Sequence, residues 1–297
     1  MDVTSAMVGP RSPLALIDKA LALLAAEVDL REDPGAPTHT VIIASGLEAS
    51  GVAKSLGLYL VGALAGAIQQ DASLCDAMLP IGPEGQREVE QAVHRLVGMN
   101  NQFMTSSEIS FRDTKRNAWI AEGVMHALLM IRARSASDML DGPVHALADL
   151  HTIPTQQGLD ALAIYTDASG PVVAIGESKA SRDDGSGQLT EAATIFRDID
   201  RMKYGPELRA KLGALRRVIN PDLAEKVSNA LWLEHRCYFP MVVHETHFDL
   251  KAKRVVYGRL LPSIDRRRVI GVRLQNFQKF FDDISDAMRD AVAEVVI

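Results

Sequence analysis

Three residues in one stretch of the chain could act together: Asp160, in Gly158-Leu159-Asp160-Ala161-Leu162, and Glu177 and Lys179, in Glu177-Ser178-Lys179. Two carboxylates suit a hard divalent cation, Mg2+ or Mn2+, which prefers carboxylate oxygens and keeps several waters. Such an ion acidifies an attacking water and neutralises charge on a phosphate, as phosphodiester hydrolysis at neutral pH requires. Side chains alternate along a strand, so Glu177 and Lys179 project from one face. The ammonium then lies beside the metal, where it orients or helps deprotonate the water and offsets negative charge in the transition state.

These residues need rigid elements to hold them. Strand-like runs at 158–165 and 171–180, separated by Thr166-Asp167-Ala168-Ser169-Gly170, predict a hairpin. Helical periodicity at 113–134 precedes it; a polar loop at 181–187 and a helix at 188–204, closed by Gly205-Pro206, follow. Glu122 in the first helix has Ala118, Trp119, Met125, His126 and Leu129 as helical neighbours, a mainly apolar stripe. Two readings stand: Glu122 points inward as a third metal-binding carboxylate, or it turns to solvent beside Arg116 or Lys115.

The D/E-x-K tripeptide occurs three times, as Asp113-Thr114-Lys115, Glu177-Ser178-Lys179 and Asp249-Leu250-Lys251. The first reads as a helix start and the third as a solvated hairpin tip. Only the second closes a strand whose hairpin partner carries a carboxylate.

The order helix with Glu122, strand with Asp160, strand with Glu177-Ser178-Lys179, then helix resembles the PD-(D/E)xK nuclease superfamily. The run from His151 to Asp160, followed by Ile175-Gly176-Glu177-Ser178-Lys179, is similar to the HamA nuclease subunits of Hachiman anti-phage systems. Two features depart from the family pattern: Leu159 stands where Pro precedes the Asp, and Ala192 stands four residues after Gln188 in place of Tyr. The resemblance spans about residues 110–250. It implies an α/β fold with a mixed sheet flanked by helices, as in restriction endonucleases, and a metal-dependent DNase that works with a helicase subunit. By the same resemblance Glu122, Asp160 and Glu177 bind metal, the Ser178 carbonyl is a further ligand, and Lys179 is catalytic.

Net charge is −6 overall, but residues 1–110 hold 6 basic and 13 acidic side chains, a net −7, and the remainder is +1. Two domains are expected: a mainly helical region at 1–110 that docks or regulates, and a nuclease domain at 111–297. Within 1–110, helical stripes are read at Leu14, Ile17, Leu21, Leu24 and at 89–97, with a short strand at 41–44. Further on, strand runs are expected at 238–248 and 255–261, then a C-terminal helix carrying Phe277, Phe280, Phe281, Ile284 and Met288. Phosphate contact needs clustered cations. Lys251, Lys253, Arg254, Arg259, Arg266, Arg267 and Arg268 form the cleaner cluster; a second, from Arg197 to Arg217, is interleaved with acids.

Other chemistries find less support. His244-Glu245-Thr246-His247 is one residue short of the zinc-protease motif. Gly46 and Gly51 have phosphate-loop separation, but Lys54 stands out of register. Cys75 and Cys237 are too few for a disulfide framework. The apolar run 56–68 falls short of a membrane span of ~20 residues, and no secretion signal is recognised, so no membrane partner and a cytoplasmic location are expected. A competing reading is an inactive nuclease-fold subunit that binds DNA as an adaptor or scaffold.

Overall fold

The computed structural model describes residues 12–74, 83–133, 139–153 and 158–295. The chain is α/β, built on one mixed seven-stranded sheet. It begins α1 (Pro13–Glu27), β1 (Asp29–Asp33), β2 (Thr40–Ser45), α2 (Val52–Leu74), α3 (Pro83–Val97) and α4 (Ser106–Phe111). A π-helical turn, Arg112–Arg116, leads into α5 (Asn117–Ala133), β3 (Val144–Leu147), β4 (Ala161–Asp167) and β5 (Gly170–Ala180). Then come α6 (Gly185–Asp200), α7 (Gly205–Leu215), α8 (Pro221–Lys226), α9 (Leu231–Glu234) and β6 (Arg236–His244). The chain closes with α10 (Arg254–Tyr257), β7 (Arg268–Arg273) and α11 (Phe277–Ala291).

The strand order is β1-β2-β7-β6-β5-β4-β3. The four central strands β2, β7, β6 and β5 run parallel, and β1, β4 and β3 are antiparallel to their neighbours. Every residue of β6 is buried, as is Val172 to Ser178 of β5, because a parallel sheet covered on both faces hides both sides of its strands. One face carries Ala161, Ala163, Tyr165, Val172 and Ala174 against α1, α2, α5 and α11. The other carries Leu162, Ile164, Val173 and Ile175 against Leu189, Ala193 and Phe196 of α6.

The segments on either side of residue 110 share this sheet. Val41 pairs in register with Val269, and α2 packs on α11, so strands from the acidic third continue the same sheet rather than forming a separate helical unit. Charge reports the surface, whereas apolar strands such as Thr40–Ser45 bury themselves wherever an open edge is offered. The run 255–261 is not a strand: residues 250–257 form short helical turns, and the last strand is Arg268–Arg273. In α1 the inward stripe is Leu16, Ala20, Leu21 and Leu24, while Leu14 is 64% exposed. The C-terminal helix buries the five apolar side chains expected of it. The Cys237 thiol is buried, which pushes its pKa up to about 12, while Cys75 lies outside the described residues. Among the described residues no helix is long and apolar enough to cross a membrane.

Candidate functional site

Asp160 immediately precedes β4, and continuing the Ala161–Gly176 pairing back by one residue sets it opposite Glu177. Opposed residues of an antiparallel pair share a face. The Asp160 Oδ2 accepts the Ser178 backbone N–H at 2.7 Å, which fixes the carboxylate against the end of β5. Lys179 Nζ lies 3.0 Å from Glu177 Oε1, and Glu191 of α6 stands 4.0 Å from the same ammonium. Glu177 is 4% exposed, and its second oxygen, Oε2, is buried without a partner, as is the Ser178 hydroxyl.

Glu122 points inward and is buried. Trp119, Glu122 and His126 share one face of α5, and all three hold the segment that leads to Asp160. Trp119 Nε1 donates to the His151 carbonyl at 2.7 Å, and the His126 ring bonds the Ala148 carbonyl at 2.9 Å. Glu122 accepts the His151 backbone N–H at 3.3 Å, and its other oxygen lies 3.2 Å from His151 Nδ1. Close approach of α5 to β5 depends on Gly176, where a Cβ would stand 2.5 Å from the Phe239 ring and 3.1 Å from Met125 Sδ.

Glu122, His151 and Asp160 each offer a ligand atom within 4.8 Å of the others, and they form the only group of this kind among the described residues. Sequence reasoning did not single out His151. A lone histidine nine residues before Asp160 has no periodicity to mark it, and only its contact with Glu122 brings it to the site. Glu122, Glu177 and Lys179 line the same cavity of about 480 Å3 with Asp160, His151 and Ser178. Asp113, Thr114 and Lys115 also line it, since this tripeptide lies in the π-helical turn rather than at a helix start.

The site is electrostatically crowded. Burial, then the charges of Glu177 and Glu122, hold Asp160 well above the ordinary carboxylate range, against the opposing pull of the Ser178 N–H and Lys179. Burial also raises Glu177 despite Lys179. Burial lowers the Lys179 pKa, but the Glu177 charge outweighs it and the net direction is up. Glu122, Asp160 and Glu177, the last with one oxygen orphaned, and the His151 imidazole match the donor set of a divalent cation, which would relieve the repulsion that adds to burial in raising Asp160.

The basic cluster around Arg266 is used differently from the expected phosphate track. Arg266 pairs with Asp167 at 2.6 Å, at the hairpin tip seven residues along β5 from Glu177, about 23 Å away at ~3.3 Å per residue. Arg267 donates to the carbonyls of Pro262, Leu260 and Thr38, and Arg268, 4% exposed, bonds the Asp265 carbonyl and Asp141. These three brace the loop before β7 at the opposite end of the sheet. Lys251 pairs with Asp33 at 2.6 Å, and Lys253 donates to Thr190 of α6 at 2.9 Å. The Arg254 side chain lies outside the described residues. Sequence displays each charge but not the distant acceptor that consumes it.

His244 ends β6 buried, with its Nδ1 3.0 Å from the Thr246 carbonyl, and His247 is exposed; the pair does not converge on a metal site. No protein-family model and no curated protein matches the chain.

Proposed function

We propose that the protein is a divalent-metal-dependent nuclease that hydrolyses phosphodiester bonds of DNA. The observation that carries this reading is the Glu177 carboxylate, with Lys179 on one oxygen and no partner on the other, buried in the cavity that Glu122, His151 and Asp160 line. Glu122, His151, Asp160 and Glu177 would hold the ion, with the Ser178 carbonyl as a further donor. When bound, the ion supplies an acidified water and screens the phosphate. Lys179 holds its proton beside Glu177 and presents positive charge to the phosphate. Glu177 and the Ser178–Asp160 hydrogen bond fix its position relative to the carboxylates.

The succession of α5, β4, β5 and α6 within a mixed sheet flanked by helices supports a restriction-endonuclease-like core, the arrangement implied by the PD-(D/E)xK resemblance. By that resemblance the nuclease acts in the cytoplasm as the effector of a Hachiman-type anti-phage complex with a helicase subunit. The test is an assay of supercoiled, linear and single-stranded DNA with Mg2+, Mn2+ or chelator, with and without the helicase. Metal-dependent cleavage that chelator abolishes is the expected result. A protein that binds but never cuts any DNA form, alone or in complex, is instead an adaptor.

A further inference from the structure

A second cavity, about 1190 Å3, opens at the carboxyl ends of β2 and β7. Ligands of parallel sheets bind where successive connections leave in opposite directions. That divergence occurs here: the chain after β6 crosses the face that carries α6, where Leu250 and Tyr257 pack, and the chain after β7 crosses the opposite face as α11. The cavity reaches this divergence at Glu245, just after β6; the rest of its lining comes from the end of β7, the start of α11 and the Gly46–Gly51 loop, which joins β2 to α2 on the α11 face with both glycines at positive φ. Its walls pair apolar Leu47 and Phe280 with Ser50, Gln275 and the Arg273 cation, beside Glu48, Glu245, Lys279 and Asp283.

Charge within the cavity is unevenly engaged. Glu48 accepts the backbone N–H groups of Gln275 and Asn276 at 2.8 and 3.1 Å, Glu245 accepts that of Phe277 at 2.8 Å, and Asp283 pairs with Lys279. Arg273 is exposed at the end of β7, with its guanidinium available. It projects from the same sheet face as Lys179, because Lys179, Val242 and Gly271 are in parallel register and Arg273 lies two residues beyond Gly271. Two strand spacings sideways and two residues along separate them by about 12 Å. That distance equals three to four stacked nucleotides at ~3.4 Å each.

We infer that this cavity binds a phosphorylated nucleoside, with Arg273 gripping the phosphate in the bidentate geometry of guanidinium. The group is either a flanking nucleotide of the strand held at Lys179 or a free nucleotide; the first source rests on the nuclease reading, the second does not. The test is fluorescence anisotropy of the full chain carrying Lys179→Ala, in Mg2+, with labelled thymidine dinucleotide, labelled thymidine octanucleotide and labelled AMP. If the strand is the source, Arg273→Ala weakens octanucleotide binding about tenfold and leaves the dinucleotide unchanged. If a free nucleotide is the source, AMP binds and Arg273→Ala abolishes it. Ser50→Trp, which sets a large ring in the cavity lining, reproduces whichever loss is seen, and unchanged melting temperatures show that both variants fold. Equal binding of all three probes by Arg273→Ala and Ser50→Trp overturns the inference. Arg273-dependent binding by a chain that never cleaves DNA leaves this site standing while removing the nuclease reading.

Discussion

Met125 of α5 packs directly over Gly176 of β5, one residue before the Glu177 carboxylate, and Phe239 of β6 closes the same gap from the side. Glycine is required there because two larger neighbours already fill the space. Gly176→Ala therefore overpacks the junction and destabilises the chain by about 1–3 kcal/mol. A lowered urea midpoint with an unchanged slope is the expected readout, and an unchanged midpoint would show that α5 has room to retreat.

Lys179 contacts Glu177 and lines the candidate site without supporting the core. Lys179→Ala should cut DNA cleavage by about 10²–10⁴-fold, while thermal stability and DNA binding stay close to wild type. Equal loss of binding and cleavage would assign the lysine to substrate holding alone.

A histidine among the carboxylates changes which metal the site favours. Imidazole suits transition metals, whereas Mg2+ prefers an all-oxygen shell. Mn2+ should therefore bind more tightly than Mg2+ by isothermal titration calorimetry, and His151→Asp should narrow that gap. If the ratio is the same in both proteins, His151 stands outside the metal's ligands.

His126 braces the same loop, with Tyr59 on one ring nitrogen and the Ala148 carbonyl on the other. Burial lowers its pKa to about 4 from the ordinary histidine value of 6.5. Because the folded-state value is depressed, this contribution is fully present above pH 6.5. It is lost progressively as pH falls to about 4, by about 3 kcal/mol in total, since the unfolded chain takes up the proton first. Urea stability of wild type should fall more steeply from pH 7 to pH 4.5 than that of His126→Gln. Parallel curves would contradict the assignment.

Arg266 and Asp167 tie the segment before β7 to the hairpin tip. Arg266→Ala should cost roughly 2 kcal/mol of stability through loss of a charge-assisted bond, with DNA affinity and its salt dependence unchanged. A shallower salt slope would restore the phosphate-track role.

What the sequence by itself determined is local. Alternating and helical apolar spacing is enough to locate the hairpin, the helix of Glu122 and the C-terminal helix, because burial of one face selects the period. Tertiary structure decided the remainder. Glu122 could face solvent or the interior until His151 supplied a partner through a loop that carries no pattern of its own. The arginines before β7 could be free or spent until Asp167, Asp141 and carbonyls far along the chain came within reach. The acidic third could stand apart until Val41 met Val269. Periodicity encodes which side of an element is buried, whereas the identity of the partner across a gap is set by how the layers stack, and neighbouring residues do not record it.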